Sequence, residues 1–173
     1  MQQLHSLEES LARVFKDLPH LPKGLRDWLV ENAWWIVIIG VILGAIGVLG
    51  LLPTLLVGSA VVSYYAGAMA GGSVMASGLV SIAVLVLTIV IEAMAIQPLK
   101  AKKKRGWDLL FLASLIGIAG SLVSAVVGGN IIGGLIGTAI GAAIAFYILF
   151  ELRGHYIASV KPSKGTPNLP KDA

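Results

Sequence analysis

Residues 128–146 read GGNIIGGLIGTAIGAAIAF. Gly129, Gly133, Gly137 and Gly141 recur every four residues, and Ala145 continues the series. Positions four apart stand above one another on one face of a helix. The result is a face almost without side chains, flanked by Ile131, Ile132, Leu135, Ile136, Ile140 and Ile144. In water each glycine would cost such a helix about 0.8–1 kcal/mol relative to alanine. In a bilayer the backbone must satisfy its own hydrogen bonds, so the helix persists and its glycines let another helix approach closely. The stretch therefore predicts a membrane helix built to be packed against, by a span of its own chain or by another chain.

Composition extends that reading outward. Of 173 residues, 57% are hydrophobic and only 13% charged, with a mean hydropathy of +0.88. Soluble domains carry about 25% charged residues. The charges fall into three blocks separated by long apolar runs, the pattern of a polytopic membrane protein. A net charge of +4 would suggest nucleic acid in a soluble protein, but here basic residues mark cytoplasmic loops. No cysteine is present, which excludes disulfides, thiolate nucleophiles and iron–sulfur clusters. The first apolar run starts at Ala33 behind a charged stretch and is too long for a signal-peptide core, so no cleavable signal is expected.

In chain order, residues 1–32 read as cytoplasmic amphipathic or interfacial helices. Ser6 and Glu9 have capping-box spacing, and Leu7, Leu11, Val14, Phe15 and Leu18 form an apolar helical face. Glu8, Glu9, Arg13, Lys16 and Asp17 are expected on the other face, towards water. Pro19 and Pro22 break the chain before a second helix, which enters the bilayer behind Trp28, Trp34 and Trp35. Four spans follow at 33–52, 77–97, 107–127 and 131–150, each suited to a ~30 Å hydrocarbon core. Pro53 is expected to end or kink the first. Residues 54–76 are apolar but rich in Gly, Ala and Ser, and read as a re-entrant or interfacial segment. Were they to cross, Arg13, Lys16, Lys23 and Arg26 would move outside. The charge distribution favours four spans, with all 13 Lys and Arg residues and both termini cytoplasmic. Residues 153–173 read as a largely disordered cytoplasmic tail.

Few residues offer chemistry. Glu92 is the only acidic or basic side chain among Asp, Glu, Lys, Arg and His between Ala33 and Leu99. An intramembrane carboxylate faces a bundle interior or a polar cavity, so Glu92 is the candidate for binding a proton or cation, with Thr88 and Gln97 on roughly its side. The plainer reading is that it snorkels, pairs with a loop cation or stays protonated. Lys100, Lys102, Lys103, Lys104 and Arg105 fix the topology and are candidates for anionic lipid headgroups. No aromatic residues are interleaved in that run, which argues against nucleic acid. Glu151 and His155 are spaced to meet on one helix face, and Asp108 to complement the start of the third span. No HExxH, Walker loop or GxSxG occurs, and His5, His20 and His155 are scattered. No cofactor or metal is expected.

The segments 106–111 (GWDLLF) and 147–153 (YILFELR) resemble small polytopic bacterial membrane proteins of unknown function. The resemblance covers the second hairpin. It implies a bacterial cytoplasmic membrane and a four-span core, and carries no catalytic residues. The expectation is an all-α integral membrane protein: a four-span helical bundle with an N-terminal amphipathic helix and a re-entrant or interfacial segment. Its expected role is non-enzymatic assembly through glycine-rich faces, with itself or a membrane partner. The alternative is a small ion or solute channel or carrier using Glu92.

Overall fold

The structure is a computed structural model and describes residues 2–15 and 19–158. It is all-helical: α1 (Gln2–Phe15), α2 (Lys23–Ala66), α3 (Ala68–Lys100), α4 (Lys104–Val127) and α5 (Ile131–Ala158). Helices α2 to α5 are each long and apolar enough to cross a membrane. They run up and down, α2 against α3, α3 against α4 and α4 against α5. At the charged end α5 also meets α2, closing the array into a bundle. There Tyr156 donates to the Val30 carbonyl at 3.4 Å, and Arg26 reaches Glu151 at 3.4 Å.

The core gathers at that same end. Val30, Ala95, Leu99, Trp107, Phe111, Phe146, Leu149, Leu152 and Tyr156 form one buried cluster. Trp107 stacks on Phe111 at 5.2 Å, and its indole N–H donates to the Leu149 carbonyl at 2.7 Å. A buried indole N–H needs such a partner, and this one fixes α4 against α5. Away from the cluster, large apolar side chains point outward along the helices: Ile39, Leu43, Ile46, Leu49, Ile132 and Ile140 are all exposed. An outward apolar surface of this extent suits lipid rather than water.

Pro53 neither ends α2 nor separates the next segment. Residues 54–66 continue α2, and 68–76 open α3. Residues 54–76, expected as a re-entrant or interfacial segment, form the tip of one long α2–α3 hairpin. Membrane helices tolerate proline; Pro53 leaves the Leu49 carbonyl without its helical donor, and beside it Thr54 donates to the Gly50 carbonyl at 2.8 Å. Gly67 makes the tip, with a φ of 90° that a side chain would resist. Small residues zip the two arms together. A Cβ on Gly71 would collide with Ser63, and one on Gly78 with Leu55.

At 44 and 33 residues, α2 and α3 run ~66 and ~50 Å. The shorter α4 turns back at Gly128, where an added Cβ would lie 3.2 Å from the Ser77 hydroxyl. Residues 68–76 therefore project ~14 Å past the α4–α5 turn, and the exposed Tyr64, Tyr65 and Met69 cluster at that tip. At its other end α5 runs beyond the expected limit of the last span, so residues 153–158 are helical. The remainder of the expected tail, and residues 16–18, lie outside the described residues.

Candidate functional site

Two places in the fold concentrate features beyond simple packing. The first is a laterally open cleft of about 820 Å³ in the half of the bundle away from the core. Ser77 and Ser81 of α3, Ser121 and Ser124 of α4, and Gly137 and Gly141 of α5 are among its walls. The cleft runs along α4, between α3 on one side and α5 on the other, with Leu55 of α2 at its edge. Its serine hydroxyls bond to each other or to helix carbonyls. Ser81 and Ser124 hydroxyls lie 2.8 Å apart, and Ser121 donates to the Gly117 carbonyl at 2.9 Å.

The glycine series divides on inspection. Gly129 lies in the α4–α5 turn at a φ of 73°. An added Cβ on Gly133 would first meet Asn130, the residue one turn before it, at 2.7 Å. At Gly137 and Gly141 it would meet nothing within 4 Å. The glycine that brings α5 against α4 is Gly134, where a Cβ would strike Ala125. Gly134, Thr138 and Ala142 are the half-buried row, one residue round from the predicted series. Other tight approaches use Gly120 against Val84, Gly106 against Leu99 and Gly44 against Ile89. Spacing alone did not separate the row facing α4 from the row facing the cleft, because both are small at every fourth position.

Glu92 does not line the cleft. It is half-buried on α3, and among the described residues no hydrogen bond or ion pair reaches it. Thr88, one turn away, donates to its own helix at the Val84 carbonyl, and Gln97 is exposed.

The second place is the charged end, where α1 docks. Phe15 stacks on Phe150 at 5.5 Å and meets Phe146 edge-on at 6.4 Å. Glu8 was expected on the watery face of α1 and is instead buried. Its carboxylate takes Nε and Nη2 of Arg153 at 2.8 and 2.7 Å, with Lys104 at 3.8 Å. The reason is electrostatic: two cations from α4 and α5 meet where α1 lands, so the carboxylate turns inward. Leu7 and Val14, expected on the covered face, are exposed in consequence. Only the bundle, not the sequence of α1, carries the signal for this.

The basic run is distributed by the turn it forms. Lys100 stands over the Trp34 ring at 5.0 Å, and Lys102 takes a φ of 50° in the α3–α4 turn. Lys103 and Arg105 are exposed. Lys104 turns inward to Asp108 at 2.6 Å. Glu151 and His155 do not pair along α5 as their spacing suggested. Glu151 binds His20 at 3.0 Å and Arg26 at 3.4 Å, while His155 lies 3.4 Å from Asp27. Both side chains thus tie α5 to the chain around α2.

No family model matches the chain, and no curated protein and no solved structure matches it.

Proposed function

We propose that the protein is a non-enzymatic integral membrane module that assembles by admitting a helix of a neighbouring subunit, in the first place a second copy, into the glycine cleft. The observation that carries this is the empty space in front of Gly137 and Gly141. Small residues draw transmembrane helices together by close backbone packing, and these two are left without a partner helix. Gly134 supports the reading by contrast, since the packing of α5 on α4 is already met by a different row.

In this reading the charged end is cytoplasmic, with both termini on that side. The membrane is that of a bacterial cell, as the resemblance of the second hairpin implies. Trp35 and Tyr64 lie at opposite ends of the apolar length of α2, ~44 Å apart at helical rise. That length suits the ~40–45 Å bilayer including headgroups, with aromatic residues at both interfaces. The hairpin tip then reaches the outer headgroup layer. Helix α1 lies at the inner surface, and Lys100, Lys102, Lys103 and Arg105 face anionic lipid.

The test is the mass of the purified protein in nanodiscs, wild type beside Gly137→Leu. A defined oligomer that becomes monomeric in the variant, with helicity and melting unchanged, is the expected outcome. A wild-type monomer, or an oligomer indifferent to leucine at 137, removes the proposal. Glu92→Gln is expected to leave assembly unchanged.

A further inference from the structure

The docking of α1 has a feature that packing alone does not require. Glu8 exposes 6% of its side chain, but its partners Arg153 and Lys104 expose 28% and 23%. The carboxylate is enclosed while both cations keep a side open to the outside. Both also stand over the same indole, each 5.8 Å from the Trp107 ring. Trp107 in turn is immobilised by its hydrogen bond to Leu149 and its stack on Phe111. A guanidinium and an ammonium held on one rigid ring match an oxyanion with several acceptor oxygens.

We propose that Arg153 and Lys104, set across Trp107, form a binding site for a phosphate group, and that Glu8 of α1 occupies it in the conformation described. Three observations support an exchange. First, Glu8 gives both short contacts to Arg153 through a single oxygen and reaches Lys104 only at 3.8 Å, so a carboxylate fills the cradle incompletely. A phosphate has oxygens for both cations. Second, α1 touches the bundle mainly through α5. The chain between α1 and α2 is pinned separately, by Tyr147 donating to the Pro19 carbonyl at 2.6 Å and His20 bound to Glu151. Helix α1 can therefore leave without opening the core. Third, with Glu8 withdrawn, Asp108 still holds Lys104 at 2.6 Å, and two cations beside this one acid leave a net positive cradle at the basic end of a membrane bundle. Leu11, Phe15 and the already exposed Leu7 and Val14 would give the released helix an apolar surface for lipid. The site lies at the opposite end from the glycine cleft and does not rest on the assembly reading.

The natural absence of cysteine makes the test direct. Spin labels on Ser10→Cys and Gly154→Cys, both exposed, report the distance from α1 to the end of α5. In phosphatidylcholine nanodiscs the docked distance should dominate. Nanodiscs rich in phosphatidylglycerol should raise the ratio of released to docked helix by about fivefold or more, the factor each Lys or Arg brings near an anionic surface. Inorganic phosphate added to phosphatidylcholine nanodiscs, against sodium chloride of equal ionic strength, separates the sources. Release by phosphatidylglycerol alone assigns the site to a lipid headgroup, and release by inorganic phosphate as well assigns it to free anions too. Glu8→Gln should release α1 without added phosphate. Arg153→Gln should abolish retention of phosphatidylglycerol molecules on the intact protein in native mass spectrometry. An unchanged distance under both phosphate sources, or equal release by sodium chloride, overturns the proposal.

Discussion

Gly134 and Gly137 stand three residues apart on one helix and answer different demands. Gly134 admits the Ala125 side chain of α4, whereas Gly137 faces the open cleft. Leucine at 134 must push α5 off α4, and overpacking of this kind costs about 1–3 kcal/mol. Gly134→Leu is therefore expected to melt measurably lower in detergent, while Gly137→Ala melts at or slightly above the wild type, since alanine is the better helix former. Equal losses at both positions would show that the cleft is closed in solution. Trp107 allows a second comparison at this scale. Trp107→Phe keeps much of the ring packing but removes the indole N–H that donates to the Leu149 carbonyl; that carbonyl lies inside α5 and keeps its helical donor, so the loss is about 0.5–1.5 kcal/mol. Denaturant unfolding monitored by circular dichroism measures it. The four-residue glycine spacing was legible in the sequence; which of two adjacent small rows met α4 was not. That choice depends on the rotation of α5, which Phe146, Leu149 and Tyr156 set from the far end of the helix.

The helices themselves illustrate a different limit. The apolar runs at 33–52, 77–97, 107–127 and 131–150 fall within α2, α3, α4 and α5, because length and hydropathy are local properties of the chain. The path of 54–76 was not local. Pro53 and a wealth of glycine and serine argue for a break, yet the arms of α2 and α3 interlock through Ser63 on Gly71 and Leu55 on Gly78. Tertiary packing there outweighs weak helix propensity. The reversal is concentrated at Gly67, with its φ of 90°, so Gly67→Val should strain the tip while Gly72→Ala, with open space in front of its Cβ, should not. A β-branched residue at positive φ is a genuine outlier. The expected readout is faster protease cleavage at the tip in the Gly67 variant alone. In α1, periodicity found the helix but misplaced its covered face, since Glu8 is drawn inward by Arg153 and Lys104, which lie about a hundred residues or more away in sequence.

At the scale of the molecule, the bundle is anchored at one end and parted at the other. The aromatic cluster and the ties from Glu151 to His20 and Arg26 hold α5 to α2 at the charged end, and nothing comparable joins them past the cleft among the described residues. The hairpin tip meanwhile runs ~14 Å beyond the α4–α5 turn, so the two hairpins end at different depths when the bundle stands along the membrane normal. If the proposed orientation holds, single cysteines should sort by depth. Tyr65→Cys at the tip should react with a membrane-impermeant maleimide added outside intact cells. Lys103→Cys should react only after the cells are opened. Asn130→Cys, in the shorter turn, should react from the outside more slowly than Tyr65→Cys, because the turn lies nearer the hydrocarbon. Equal outside rates at 65 and 130 would mean that the bundle tilts enough to level its two turns. Labelling of 103 in intact cells would invert the topology and move the Arg153–Lys104 cradle to the outer leaflet.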